Sequence, residues 1–360
     1  MNSVSESFKN NPLHFKHIIP LDFNTTLTLP DSHTWPLSLD PIGSLTHVQH
    51  EALPVIDLTN PEAITLIRQA CEKWGAFQVT NHDIPVKLLN EIEFQTKRLF
   101  ALPLNQKLLA VRSPEDCTGY GLPRMSTFFS KFIWSEGFTV MGSPVDHACQ
   151  LWPHDHVNFC NVLVEYQKEL ETLTEKILGL MFKSLGLTQE DVKWFKPNNG
   201  SKPPQAVLQL NSYPVCPDPS RAMGLAPHTD SSLLTLIYQN NTSGLQVYRD
   251  SLGWVPVKPV TAAVVVMVGD LMHIACNGRF KCALHRALVN KTHIRISIAH
   301  FYGPPRDVEI SPCLKLVDPD HPILYRPVTW KEYLDAKAIH FNNALELIRD
   351  KNNSGCTHLL

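Results

Sequence analysis

A run of short, β-rich segments after residue 204 constrains the fold more than any other feature of this sequence. Stretches such as AVLQLNSYP, LLTLIYQ, AAVVVMVGD and HIRISIAHFYG are separated by glycine, proline and asparagine. Regularly spaced short strands with turn residues between them are typical of a sandwich, a barrel or a jelly roll. We therefore predict a mainly β fold with flanking helices.

The first half of the chain shows mainly irregular and helical patterns instead of a run of short strands. Residues 1–50 are polar and lack clear periodicity, which predicts an irregular N-terminal arm. Amphipathic patterns follow, the longest from Val157 to Leu185, with short strands at LPVIDL and AFQVTNH. Near the other end, Thr329 and Glu332 form a capping box that predicts a helix through Ile348. The predicted units are the arm (1–50), a helix-rich region (51–200), the β core (201–310) and a C-terminal segment with a helix (311–360).

Composition limits the possible partners and compartment. The formal net charge is -2 and no block of lysine or arginine occurs, which argues against nucleic acid. The 9 cysteines are scattered without a C-x-x-C pair, so neither a disulfide framework nor a zinc ribbon is expected. The N-terminus lacks the order of a signal peptide, and the longest apolar run is far shorter than the roughly 20 residues that cross a bilayer. We expect a cytoplasmic protein without a membrane partner, and no oligomeric state is predicted.

A possible metal site stands at the start of one predicted strand. In GLAPHTDSSLLTLIYQNN, His228 and Asp230 are two residues apart, so on an extended chain both side chains point to one face, roughly 7 Å apart. A solvated surface pair is the alternative for a tripeptide this common. A third ligand is needed, and His273, His285, His293 and His300 all follow among the predicted strands. Spacing alone does not choose between them, although His285 has small residues on its own strand face.

Two further pairs share strand faces. Arg295 and Ser297 offer a guanidinium fork and a hydroxyl, a combination suited to gripping a carboxylate. Upstream, Asn211 and Tyr213 alternate in the same way. Each pair alone is more often a surface ladder than a binding site.

Taken together, the order H-x-D, His285 and R-x-S resembles the iron(II)- and 2-oxoglutarate-dependent dioxygenases of plants. The resemblance covers nearly the whole chain, through LPVIDL, CEKWGAFQVTNH, NSYPVCPDP, VGDLMHI, HRALVN and RISIAHFYGPP. It implies a double-stranded β-helix, or jelly roll, that holds iron(II) through His228, Asp230 and His285. Two imidazoles and one carboxylate occupy one face of an octahedral ion and leave three positions open. A zinc hydrolase would use a similar ligand set, but the sequence shows no separate general base at motif spacing.

The same resemblance implies roles for the remaining pairs. Arg295, with Ser297, would bind the distal carboxylate of 2-oxoglutarate, and Arg295 is the residue that we also expect to matter for catalysis. Tyr213 and Asn211 would add hydrogen bonds to that cosubstrate. Dioxygen would be consumed, succinate and carbon dioxide released, and ascorbate would serve as the reductant.

A narrower resemblance points to the gibberellin 3-beta-dioxygenases. It rests on residues 119–144, which contain SEGFT, and on RAMGLA and the near-terminal YRPVTWKEYLDAKAIHFN. These enzymes hydroxylate a gibberellin precursor to the bioactive plant hormone, so a small-molecule gibberellin is the expected substrate. Candidate substrate-binding residues in the aromatic segment are Tyr120, Arg124, Phe132 and Trp134. The alternative is that this segment only packs against the flank of the jelly roll and that Arg124 is a solvated charge.

Several positions depart from the subfamily's usual residues. They include Pro227 before His228, and the KCAL stretch before His285. None of them removes a predicted ligand, but they leave open another gibberellin oxidase, with 2-beta-hydroxylating or multistep activity. A catalytically inactive jelly-roll binding protein is the alternative from a different class.

Overall fold

The computed structural model describes residues 2–36, 51–192, 194, 203–305 and 307–350. Its helices are α1 (Ser3–Asn10), α2 (Ala63–Lys73), α3 (Val86–Phe100), α4 (Leu104–Lys107), α5 (Val145–Leu151), α6 (Val157–Ser184), α7 (Asp270–Ala275), α8 (Trp330–His340) and α9 (Ala344–Leu347). Its strands are β1 (Val55–Asp57), β2 (Ala76–Thr80), β3 (Gly119–Gly121), β4 (Glu136–Val140), β5 (Gln205–Tyr213), β6 (Leu225–His228), β7 (Leu234–Gln239), β8 (Leu245–Arg249), β9 (Gly253–Pro256), β10 (Val264–Val268), β11 (His285–Ala287), β12 (Arg295–Gly303), β13 (Glu309–Ile310) and β14 (Val328–Thr329).

Two facing sheets form the core of the molecule. The major sheet has 8 strands in the order β1-β2-β10-β7-β12-β5-β4-β3, and the minor sheet has 4 in the order β6-β11-β8-β9. Except for the parallel β1–β2 pair, the neighbouring strands are antiparallel. The predicted mainly β, jelly-roll architecture is therefore confirmed.

The major sheet is buried on both faces, which explains its continuous apolar strands. Along β10, Val264 and Val266 pack into a cluster with the long helix α6, whose buried stripe includes Leu170 and Ile177. The alternate residues of β10, Val265 and Met267, pack into the separate cluster between the two sheets. Helices therefore cover the outer face, and the inner face points toward the minor sheet.

Three local features differ from the sequence predictions. The arm is not irregular throughout, because Ser3–Asn10 form α1, and the side chain of the preceding Asn2 caps its N-terminus by accepting from the amide of Ser5. The C-terminal helix starts at the predicted Thr329 cap but ends at His340, where Phe341 adopts a φ of 48°. The 51–200 region, expected to be rich in helices, also supplies four strands to the major sheet, of which β3 and β4 were not predicted.

Candidate functional site

Three side chains at one end of the β6–β11 pair in the minor sheet converge on one point. His228 ends β6 and His285 begins β11, and the two residues face each other directly in the antiparallel register. Their rings lie 4.2 Å apart between centroids. Asp230 follows β6, with its Oδ1 3.5 Å from His228 Nε2 and its Oδ2 3.9 Å from His285 Nε2. One ligand atom from each residue lies within 4.8 Å of the others.

The hydrogen bonds of the two imidazoles leave their Nε2 atoms facing the shared point. His228 Nδ1 lies 2.8 Å from the carbonyl of Ala226, and His285 Nδ1 lies 2.8 Å from the carbonyl of Ala283. A carbonyl only accepts, so each Nδ1 carries a hydrogen and Nε2 is the ring nitrogen that remains for a metal. Asp230 Oδ2 is buried without a hydrogen-bond partner among the described residues. This donor set, two imidazoles and one open carboxylate, suits a divalent iron ion.

Electrostatics favour the metal-binding protonation states of His285 and Asp230. Burial, followed by the neighbouring His228, lowers the pKa of His285 to about 4, so this ring is neutral at pH 7. Burial favours the protonated form of Asp230, but His285 and His228 together hold the pKa of its carboxyl below the ordinary value. The carboxylate of Asp230 is therefore ionised. The neutral ring of His285 and the ionised carboxylate of Asp230 both favour binding of a metal cation.

A buried, partly unpaired cation lies on the facing major sheet. Arg295 is only 2% exposed, and its Nη2 donates to Gln239 Oε1 at 2.8 Å. Its Nε and Nη1 have no hydrogen-bond partner within the described ranges. The guanidinium lies 4.8 Å from the ring centroid of Tyr213, its register partner on β5. Ser297 and Asn211 form the next register pair, with Oγ and Nδ2 3.5 Å apart.

One cavity of about 280 Å³ joins these groups. Its inner wall comes from both sheets, and α1 and α8 cover it from outside. The lining includes the candidate metal ligands His228, Asp230 and His285, the candidate cosubstrate residues Arg295, Ser297, Tyr213 and Asn211, and apolar side chains such as Phe8, Phe128, Leu334 and Phe341. Such a largely apolar cavity with a few placed polar groups is the usual form of a small-molecule site.

The other three candidate histidines are elsewhere. His273 has both ring nitrogens engaged, with the carbonyl of Phe280 at 2.6 Å and the hydroxyl of Tyr325 at 2.9 Å. His293 hydrogen-bonds the neighbouring Thr292 in an exposed turn. His300 is fully buried on β12 but does not line the cavity. The geometry thus brings His285, and none of these three, to the H-x-D pair.

Two family models match this chain. Residues 204–304 match the 2OG-Fe(II) oxygenase superfamily, and residues 53–159 match the N-terminal model of a non-haem dioxygenase in morphine synthesis. Gibberellin 3-beta-dioxygenase 3 of Arabidopsis thaliana is 51% identical over 97% of this chain and 100% of its own length. The chain belongs to the 2OG-Fe(II) oxygenase superfamily. It is therefore an iron(II)- and 2-oxoglutarate-dependent dioxygenase.

Further relatives agree with this assignment. Gibberellin 3-beta-dioxygenase 1 of Pisum sativum is 48% identical over 97% of the oxygenase and 94% of its own chain. The crystal structure of JOX2 in complex with 2OG, Fe and JA superposes with a TM-score of 0.77 at 29% identity, covering 92% of this chain and 98% of that one. The rice dioxygenase for auxin oxidation gives a TM-score of 0.68 at 26% identity, covering 83% and 100%.

Of the four residues predicted to bind substrate, only Arg124 lines the cavity. Tyr120 is fully buried, and its hydroxyl donates to Glu136 Oε2 at 2.7 Å. The same carboxylate oxygen pairs with Lys107 Nζ at 2.6 Å. Tyr120 therefore belongs to a buried polar network that joins β3, β4 and α4.

Phe132 and Trp134 hold the N-terminal arm of the oxygenase. The amide of Phe132 donates to the carbonyl of Ser32 at 2.8 Å. The ring of Trp134 lies 4.9 Å from that of Phe23, and its Nε1 donates to the carbonyl of Pro214 at 3.2 Å. The structure therefore agrees with the alternative for these two aromatic residues, in which the segment packs against the flank of the jelly roll.

Sequence reasoning missed several lining residues. Phe8 comes from the unpredicted helix α1, Arg112 from the loop before β3, and Lys337 from α8. Lys337 Nζ donates to the carbonyl of Thr229 at 2.6 Å and also pairs with Asp270. Lys337 thereby ties α8 to the residue between His228 and Asp230. The capping box at Thr329 and Glu332 predicted this helix, but no short sequence pattern linked the helix to the site.

Proposed function

We propose that this oxygenase hydroxylates the 3-beta carbon of a gibberellin precursor to give a bioactive gibberellin. The observation that carries the proposal is the near-full-length identity of about half to the gibberellin 3-beta-dioxygenases of Arabidopsis thaliana and Pisum sativum. The cavity supports it, because a gibberellin is an apolar ring system that bears a carboxylate, and the lining is mostly apolar with a few cations.

His228, Asp230 and His285 would hold iron(II), since their donor atoms converge and Asp230 Oδ2 has no protein hydrogen bond within the described part of the chain. Arg295 Nε and Nη1, unpaired and buried, would grip the distal carboxylate of 2-oxoglutarate. Tyr213 would stack on that guanidinium, and Ser297 and Asn211 would add hydrogen bonds on the same strand face. When bound, iron(II) with 2-oxoglutarate and dioxygen supplies the oxidising power for hydroxylation and releases succinate and carbon dioxide.

The side chains of this protein then have three tasks. The Nδ1 hydrogen bonds to Ala226 and Ala283 fix the orientation of both imidazoles. Arg295 compensates an anion in a water-poor pocket, where an unpaired charge is costly. The apolar lining excludes water from the reacting carbon, so oxidation is directed to the bound substrate.

The deciding experiment incubates purified protein with iron(II), ascorbate, 2-oxoglutarate and a panel of gibberellins, with products identified by mass spectrometry. We expect a 3-beta-hydroxylated product and one succinate released for each hydroxylation. A hydroxyl at the 2-beta carbon would overturn the regiochemistry only. If no gibberellin is consumed, the proposed substrate class is wrong.

We also propose a cytoplasmic location. The eight cysteines that the structure describes are free thiols, which suits a reducing compartment. Among the described residues, no helix is both long enough and apolar enough to span a bilayer. A fluorescent fusion excluded from the cytoplasm would contradict the location.

A further inference from the structure

Two arginines at the cavity each keep one buried nitrogen unpaired. Arg112 Nη2 donates to the carbonyl of Leu122 at 2.6 Å, and Arg124 Nη2 donates to the carbonyl of Asn11 at 2.5 Å. Arg112 Nε and Arg124 Nη1 are buried without a hydrogen-bond partner in the described part of the chain. One anchored edge and one open N–H on each guanidinium leave donors available to a ligand.

Neither guanidinium forms a direct ion pair among the described residues, and the charges of Asp116 and Asp335 offset those of Arg112 and Arg124 only in part. Burial lowers the pKa of Arg112 and of Arg124 to about 10, so both remain protonated at pH 7. Within residues 2–36, 51–192, 194, 203–305 and 307–350, neither forms an ion pair with a carboxylate. Arg112 is only 3% exposed. A buried cation without a direct ion pair is costly, and the charge of Arg124 adds repulsion at Arg112, so an anionic ligand would relieve both costs.

The ring of Phe8 sits beside both cations. The guanidinium carbon of Arg124 lies 4.2 Å from the Phe8 ring centroid, and that of Arg112 lies 5.4 Å from it. Phe8 is carried by α1, which is held to α8 by hydrogen bonds from Asn10 and Asn11 to Asp335. Helix α1 therefore covers this part of the cavity, and its Phe8 ring lies against the guanidinium groups of Arg112 and Arg124. This combination fits a ligand with an apolar body and one carboxylate.

We propose that Arg112 and Arg124 form a carboxylate-binding subsite that orients the organic substrate, distinct from Arg295. The proposal rests on the proposed function, since it takes the substrate to be an apolar ring acid. Arg295 lies on β12 of the major sheet, whereas Arg112 and Arg124 flank β3 and contact α1. Two separate cationic positions in one cavity match two separate anions, the cosubstrate and the substrate. Holding the substrate by its carboxylate would determine which ring carbon faces the metal ligands.

The first test needs no variant. Binding of a gibberellin and of its methyl ester is measured by calorimetry on the protein loaded with Mn²⁺ and 2-oxoglutarate without oxygen. The ester keeps the ring system and removes the charge. Since charge-assisted hydrogen bonds are lost, we expect the free acid to bind roughly 10- to 100-fold more tightly. Equal affinity for acid and ester would overturn the subsite.

The second test assigns the preference to the two arginines. Arg112→Gln and Arg124→Gln should each reduce the acid-to-ester preference about tenfold, while leaving the affinity for 2-oxoglutarate unchanged. Arg124→Lys keeps the charge and should retain most of the preference. Arg98→Gln is the matched control, because Arg98 also stacks on an aromatic ring, that of Trp152, but does not line the cavity. An unchanged preference in both glutamine variants would refute the assignment.

The outcomes separate this inference from the proposed function. An acid preference that depends on Arg112 and Arg124, with no hydroxylated product, would reject the hydroxylation and support the subsite. Hydroxylation of acid and ester at equal kcat/KM would support the function and reject the subsite. If a glutamine variant loses its cooperative thermal transition, the wild-type acid-to-ester ratio and Arg124→Lys still decide the matter.

Discussion

Replacing Arg295 with lysine isolates the contribution of the guanidinium fork, because the positive charge is kept. In the native protein Nη2 is held by Gln239 Oε1 at 2.8 Å, which leaves Nε and Nη1 for a carboxylate. A lysine ammonium in the same buried position provides a point charge, without the planar array of N–H donors. It also lacks the planar group that stacks on Tyr213. The expected loss is one charge-assisted hydrogen bond, about 1.5 to 3 kcal/mol.

That free energy corresponds to a roughly 10- to 150-fold higher Kd for 2-oxoglutarate. The assay is calorimetric titration of 2-oxoglutarate into anaerobic Mn²⁺-loaded protein, which reports binding without turnover. Arg98→Lys serves as the control, since it makes the same change at a position outside the cavity. Thermal melting shows whether Arg295→Lys remains folded. If folded Arg295→Lys binds 2-oxoglutarate within twofold of wild type, another cation anchors the cosubstrate.

The remaining predictions concern the metal ligands and the packing around them. His285→Ala should abolish stoichiometric binding of iron(II), measured by metal analysis after anaerobic gel filtration, whereas His273→Ala should keep it. Lys337→Met should weaken Mn²⁺ binding by roughly 10- to 100-fold in a titration, because it releases the residue between two ligands. Gly303→Ala should lower the free energy of unfolding in urea by about 1 to 3 kcal/mol, because its Cβ would lie 2.2 Å from the ring of Trp330. Unaltered metal binding in His285→Ala or Lys337→Met, loss of metal binding in His273→Ala, or unaltered unfolding in Gly303→Ala would contradict the respective prediction.

The elements that the sequence predicted well are those whose pattern is local. The long helix from Val157 has a periodic apolar stripe, and it ends at Ser184, directly before the predicted last residue, Leu185. The strands β3 and β4 are short and contain glycine, so neither has a recognisable alternation. Helix α1 is similarly brief, and it is tied to α8 by hydrogen bonds from Asn10 and Asn11 to Asp335, contacts that no local sequence window contains.

In the candidate site too, local patterns could be predicted from the sequence, whereas contacts between distant segments could not. Both pairs, His228 with Asp230 and Arg295 with Ser297, are at i and i+2. The pleat of β12 places Arg295 and Ser297 on one face, whereas Asp230 lies beyond the end of β6 and reaches His228 from the following loop. Their meeting in one cavity depends on two sheets facing each other, and the resemblance to a family supplied that step. Arg112 reaches the same cavity only because β3 joins the edge of the major sheet and α1 closes over it. No short spacing encodes such a contact between distant segments.

The alternation along β12 also explains why His300 does not belong to the metal site. Residues at odd positions, including Arg295 and Ser297, line the cavity, while Ile296 and Ile298 belong to the cluster under the helices. His300 shares the even positions and pairs with Leu208 and Leu236 of that cluster in the strand register. Burial lowers the pKa of His300 to about 3, so it is a neutral core side chain. The period of two that places Arg295 in the cavity therefore also directs His300 away from it.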